Sequence, residues 1–301
     1  MSSNKIALIL RATGYRGKAT ISYLNKPGWD VHALVTDAKS DRAITLNAIG
    51  PREARIVLKL AIEADVQYVA LKGSIVLNNP NAQDDYKYLS ATPAVLDKGD
   101  VEKLVQASGK TWTLMRPGYS TSNLLPPLVH WMYPDIKEGW LFNSSGSHCV
   151  LILIDPDDIG PFIAAAFDDP AKFGGQIITL VGENMSFNDM MKQYSEACGY
   201  QFEILYRTPE ETEKELANPF VSGKILCVGL KELVNTNEVP KWRIPLMSFK
   251  EILEKHKYEL PKGPVEAGRT MTIPSADSGM LGSEKPEALV EPVKENEWRQ
   301  A

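Results

Sequence analysis

The chain has few cysteines, no long apolar run and no excess of positive charge, and each scarcity closes a class of explanation. Of 301 residues only Cys149, Cys198 and Cys227 are cysteine, an odd number with no Cys-x-x-Cys pair. That set supports neither a disulfide framework nor a zinc knuckle, and it fits a reducing compartment. The apolar run that opens the chain, Ile6 to Leu10, is five residues long. A secretory leader needs a longer one, and a membrane span needs about 20 apolar residues. The expectation is therefore a cytoplasmic protein without membrane contact. The 33 Lys and Arg against 38 Asp and Glu leave a formal net charge of -5. Nucleic-acid binders are usually basic, so nucleic acid is not an expected partner of this chain by itself. No metal is expected either, since Asp155, Asp157 and Asp158 crowd together after a strand and suit helix capping by Asp157 or Asp158 better.

What is present is a core-forming composition, 44% hydrophobic and 24% charged, which excludes global disorder. Strand and helix signals alternate along it. Lys5 to Leu10 reads as a buried parallel strand, followed by a turn over Ala12-Thr13-Gly14-Tyr15-Arg16-Gly17, a helical stretch at 18–26 and a strand from Asp30 to Val35. Strand, glycine turn, helix and strand form a right-handed βαβ unit. Residues 38–49 and 52–65 read as helices, Gln67 to Leu71 as a strand ending at Lys72-Gly73-Ser74, and 93–108 as a helix. Trp112 to Met115 is a strand closed by Arg116-Pro117-Gly118. An aromatic and proline-rich lobe over 119–142 precedes a strand at Val150–Ile154, a helix to Phe167 and a strand at Gln176–Val181. Ser186 is placed to cap a helix, with Asp189 three residues on. A strand at Phe202–Tyr206 and helices at 209–217 and 248–258 complete the body. From Lys262 the chain is rich in Pro, Gly, Ser and Glu without periodicity, and 262–301 reads as a disordered tail.

The expected class is α/β, a Rossmann-like doubly wound parallel sheet with a small C-terminal α+β substrate lobe. Residues 1–118 would form the dinucleotide-binding domain, with 150–182 returning to it, and 119–261 the lobe. In the glycine turn, Gly14 would let backbone amides approach a pyrophosphate and Gly17 would let the helix pack on the sheet. The helix N-terminus adds free N–H groups and partial positive charge. Arg11 stands where the first glycine of the three-glycine fingerprint belongs. It would contact a phosphate or obstruct the cofactor's path, and a purely structural turn is the alternative.

Ala12–Gly17, the strand Trp29–Val35, Trp112–Gly118, Ile154–Gly160 and Gly175–Glu183 together resemble the NmrA-like family of atypical short-chain dehydrogenases/reductases, which includes isoflavone-reductase-like enzymes. The likeness spans about 5–260. It implies a Rossmann domain binding NADP(H) or NAD(H) through Ala12, Thr13, Gly14, Tyr15, Arg16 and Gly17, with the lobe over the nicotinamide. Thr36 occupies a position that is often Arg in the family. Asp37 suits NAD, but Arg16, Lys39 and Arg42 surround it with charge suited to a 2′-phosphate, so NADP is preferred over NAD. The family's third strand, the helix after it and its fourth strand have no counterpart between Val35 and Gln67, about 40 residues at typical element lengths. The sheet is therefore expected to be truncated, with the Gln67 strand pairing directly with the first strand or the sheet open there.

The family's dyad is Tyr-x-x-x-Lys. Lys98 matches the Lys, which would organise the nicotinamide ribose, but the Tyr position is Ala94. Tyr86, Tyr88 or Tyr119 would have to supply the proton, and Lys98 can also be read as a plain helix lysine opposite Glu102. Ser74 ends a strand where a Rossmann site expects a hydroxyl, or it caps a turn. Lys98, Ser74 and Tyr119 are the candidate catalytic residues. His130 is read as packed rather than acidic or basic, and Cys149 as no thiolate. The expected function is an NADP-dependent oxidoreductase on a small organic substrate, with fungal secondary-metabolite biosynthesis as the setting that the resemblance suggests. The alternatives are a non-catalytic NAD(P)-sensing regulatory protein and a redox-silent isomerase or cyclase. The expected assembly is a monomer or homodimer.

Overall fold

The computed structural model describes residues 5–10, 23–24, 29–34 and 51–263. Ala12 to Gly17, Thr36, Lys39, Arg42, the helix expected at 38–49 and the tail from 264 lie outside the described residues.

Within them the elements run β1 (Lys5–Leu10), β2 (Trp29–Leu34), α1 (Pro51–Glu63), β3 (Tyr68–Lys72), α2 (Thr92–Gln106), β4 (Thr111–Pro117), β5 (Tyr119–Ser120), β6 (Trp140–Asn143) and β7 (Val150–Ile154). Then come α3 (Ile159–Asp168), β8 (Gln176–Leu180), β9 (Glu183–Ser186), α4 (Phe187–Cys198), β10 (Glu203–Tyr206), α5 (Pro219–Ile225) and α6 (Phe249–Lys255). Short helical turns fill the connections. The class is α/β with parallel sheets, as expected.

β1 and β2 pair in parallel with Lys5 opposite Trp29. A second parallel sheet has the order β3-β4-β8. Among the described residues no ladder joins β1 to β3. β8 pairs with β4, while β7 pairs with β5 and with antiparallel β9. The reason lies at Gly118. The chain passes straight from β4 into β5 there, and a Cβ at 118 would stand 2.1 Å from the Ile152 carbonyl oxygen. Only glycine lets β7 lie that close.

β7 divides the molecule into two cores. Its side chains alternate across the strand: Leu151 and Leu153 join the lobe core with Tyr133, Phe187, Met190 and Tyr194. Ile152 and Ile154 join the sheet core with Met115, Phe162, Ile178 and Leu180. A strand buried on both faces must read as a continuous apolar run, which Val-Leu-Ile-Leu-Ile is. The sheet core also takes in Leu230, Val239 and Trp242 from the far end of the chain, with Trp242 stacked on Phe173 at 4.7 Å. That return, within the stretch 119–261 expected to form the lobe, is not part of the sequence expectation. β6 and β10 form a parallel pair at the lobe's outer side.

Candidate active site

Because β3, β4 and β8 are parallel, their C-terminal ends lie together: Lys72-Gly73-Ser74, Pro117-Gly118 and Leu180-Val181. Open α/β sheets bind ligands at that edge. α2 packs behind it with Val95, Val101 and Val105 buried, and Pro93 occupies its first turn, where the missing N–H has no helical partner to lose.

The edge is fixed by an ion pair. Arg116 on β4 donates from Nη2 to Glu102 Oε2 at 2.6 Å, and from Nη1 to the Leu77 carbonyl and Asn78 Oδ1, both at 3.0 Å. The Asn78 amide in turn donates to Thr179 Oγ1 on β8 at 3.1 Å. One guanidinium therefore ties α2, β4, the 75–78 turn and β8 together, and the Glu102 side chain keeps only 4% of its exposure. The chain makes room for that carboxylate at Gly73, where a Cβ would stand 1.9 Å from Glu102 Oε1. These contacts give Arg116 a structural role. Glu102 turns inward to Arg116. Its place one heptad after the buried Val95 was the available signal, a glutamate on the apolar stripe of a helix.

Ser74 opens the turn Ile75–Asn78 in extended conformation, and its backbone carbonyl accepts from Leu77 N at 3.1 Å. It occupies a cap position, but its hydroxyl makes no capping hydrogen bond. Lys98 is half-buried one turn before Glu102 on α2, and Ala94 is exposed.

Tyr119 is buried. It is 9% exposed and belongs to the lobe core, because β5 directs it between β7 and the 121–136 segment. Its hydroxyl is buried without a hydrogen bond of normal geometry, with the Tyr133 and Asn123 side chains close by. Burial drives its pKa far above the ordinary phenol value. Of the other tyrosines considered, Tyr86 packs against the sheet core and Tyr88 is exposed. His130 is half-buried, and burial first and Lys137 second lower its pKa, favouring the neutral ring. Burial pushes the Cys149 thiol up, so it carries no thiolate character.

The Asp155–Asp158 segment also differs from expectation. The capping residue is Asp155, whose carboxylate accepts from Asp157 N at 2.8 Å. Asp158 instead accepts from Met247 N at 3.1 Å, pinning the C-terminal segment to the end of β7. Burial pushes its pKa up to about 7 against the pull of that amide. Lys255 closes the cluster by pairing with Asp155 and Asp157. Beyond the end of β8 an open cleft of about 270 Å³ is lined by Val181, Gly182, Asn184, Thr236, Val239 and Leu246. Among the described residues no group of His, Cys, Asp and Glu is disposed to hold a metal ion, and no helix is long and apolar enough to cross a membrane.

The fold has known counterparts. An NADPH-dependent quinone oxidoreductase from Escherichia coli superposes with a TM-score of 0.59 at 16% identity, over 83% of this chain and 98% of that one. NmrA, a negative transcriptional regulator solved in complex with NADP, gives 0.60 at 16% identity over 85% of this chain and 95% of that one. A triphenylmethane reductase from Citrobacter sp. gives 0.62 at 14% identity over 84% and 99%. At these identities the likeness is one of fold. A comparison with curated protein sequences finds no match. The profile of the NmrA-like family matches residues 76–239, more than half of the chain, running from the turn after β3 through the lobe to the returning segment. The chain belongs to the NmrA-like family.

Proposed function

We propose that this chain binds NADP(H) across the C-terminal edge of its parallel strands and acts as an oxidoreductase on a small organic substrate. The observation that carries the reading is the strand edge itself. Among the described residues the Ser74 hydroxyl makes no capping hydrogen bond, and it stands beside the helix of Lys98 on a backbone fixed by Arg116 and Glu102. That donor set suits the ribose and carboxamide end of a nicotinamide. Bound there, the cofactor would supply hydride chemistry. In this reading Lys98 bonds the ribose and Ser74 contacts the reacting group. Ala12, Thr13, Gly14, Tyr15, Arg16 and Gly17 cradle the pyrophosphate, and Thr36, Lys39 and Arg42 face the 2′-phosphate. Tyr119 is left as a core residue unless the lobe opens. Support comes from family membership and from neighbours of the same fold that are NADPH-dependent or were solved with NADP. The first 118 residues with β8 form the binding unit, and the remainder of 119–261 covers it.

The reading is tested by titrating the chain with NADPH and following nicotinamide fluorescence, then by turnover of quinone, dye and carbonyl substrates. A second reading, a cofactor-binding regulator without turnover, is favoured by Ala94 in place of the dyad tyrosine. Saturable binding with no turnover of any substrate would select it. Oxidation of NADPH that depends on substrate would reject it.

A further inference from the structure

The lobe encloses a lysine that no carboxylate among the described residues neutralises. Lys224 on α5 is 5% exposed. Its Nζ donates to the Met132 carbonyl at 2.6 Å and the Phe142 carbonyl at 3.4 Å, and it lies 4.0 Å from the centre of the Tyr133 ring. Among the described residues no acidic side chain stands within ion-pair distance of it. Two residues earlier, and so on the opposite side of the helix, Ser222 is fully buried. Its Oγ accepts from Ala91 N at 3.1 Å and lies 2.9 Å from Ser90 Oγ. α5 is thus a strut. One side reaches into the lobe through Lys224, and the other holds the first turn of α2, the helix that carries Lys98 and Glu102.

The charged and titratable groups on the elements around Lys224 are few. The 129–132 turn carries His130, the 134–138 turn carries Asp135, Lys137 and Glu138, and β10 carries Glu203 and Tyr206 with Arg207 directly after it. Tyr133 lies beneath the amine, and Cys227 follows α5. Burial is the largest influence on Lys224 and lowers its pKa to about 7, with Arg207 adding to the fall and Asp135 opposing it. Released into water, the amine would return to about 10.4. Between those values the released state binds a proton that the enclosed state does not, so a rise in pH favours enclosure.

We propose that Lys224 is a proton-operated latch: uptake of a proton by its amine withdraws α5 from the lobe and, through Ser222, loosens the first turn of α2. The consequence for catalysis rests on the role given above to Lys98, but the latch itself does not.

Hydrogen exchange at the Ala91 amide of the full chain, corrected for the intrinsic rate, reads the latch directly. Protection should rise by up to about tenfold per pH unit from pH 7 to 9, and the rise should vanish in Lys224→Met. A flat profile in the native chain, or an undiminished slope in Lys224→Met, overturns the proposal. Should Lys224→Met fail to fold, the native chain labelled with 13C-lysine decides the matter. One Cε resonance titrating near pH 7 sustains the latch, and every lysine titrating above pH 9 removes it. NADPH binding measured alongside keeps the two ideas apart. A clear exchange slope without any NADPH binding sustains the latch and overturns only the cofactor reading.

Discussion

At the scale of single residues, the Arg116–Glu102 pair is the contact on which the strand edge depends. Arg116→Met would leave a carboxylate with 4% side-chain exposure unpaired and cost about 3 kcal/mol, read as a lowered midpoint in urea unfolding. Gly73→Ala should cost about 1–3 kcal/mol, because the new methyl displaces the same carboxylate. The two losses should not add in a double variant, since both act on Glu102. Lys98→Ala makes its prediction in cofactor binding. On the proposed role it would weaken NADPH binding about tenfold, the loss of one charge-assisted hydrogen bond. Asp158 makes a prediction of a different sign. Its pKa in the fold is about 7 against an ordinary 3.8. The native state therefore keeps a proton that the unfolded state releases between pH 4 and 7, and its contribution to stability falls as pH rises through that window. Asp158→Asn keeps an oxygen for Met247 N and should gain about 1–2 kcal/mol over the native chain at pH 8, allowing for solvent screening. The advantage should shrink to nothing near pH 4.

At the scale of elements, β7 is the partition on which both cores lean. Leu153→Ala and Ile154→Ala point to opposite cores, yet each should cost about 2–5 kcal/mol because both side chains are 1% exposed. On α1, by contrast, Leu60 is 58% exposed, and Leu60→Lys should move stability by less than about 0.5 kcal/mol in the same urea measurement. Elements with a clear period were legible in the sequence. β1, β7 and β8 fall where their apolar runs place them, and Ser186 caps α4 by accepting from Asp189 N at 3.1 Å. β6, β9 and α5 were not legible. Trp-Leu-Phe-Asn, Glu-Asn-Met-Ser and Pro-Phe-Val-Ser-Gly-Lys-Ile are too short to show a period, and tertiary contacts define them. The same limit applies to the site. Ser74 was placed by the end of its strand, and Lys98 by what the family resemblance implies. The inward turn of Glu102, the burial of Tyr119 and the enclosure of Lys224 depend on which distant segments meet.

At the scale of the whole molecule, the architecture is two cores on either side of one strand, with the C-terminal segment returning through Leu230, Val239 and Trp242 to close the sheet core. β7, the Asp158–Met247 bond and the Ser222 strut are among the links that bind lobe and sheet. Among the described residues β1–β2 and β3–β4–β8 are separate ladders. On the proposed reading a dinucleotide would contact both. Cofactor binding therefore bears on the completeness of the fold as well as on the chemistry. NADPH in excess should raise the thermal midpoint of the chain, since a ligand that binds only the folded state stabilises it by about 2.7 kcal/mol at a hundredfold excess over its dissociation constant.

The most direct measurement is fluorescence titration of the full chain with NADPH, repeated with Lys98→Ala. A saturable change in nicotinamide emission that Lys98→Ala weakens about tenfold is the result expected if the strand edge is a cofactor site. No change in emission at millimolar NADPH would contradict it, and with it the assignment of this chain as an NADP-dependent member of its family.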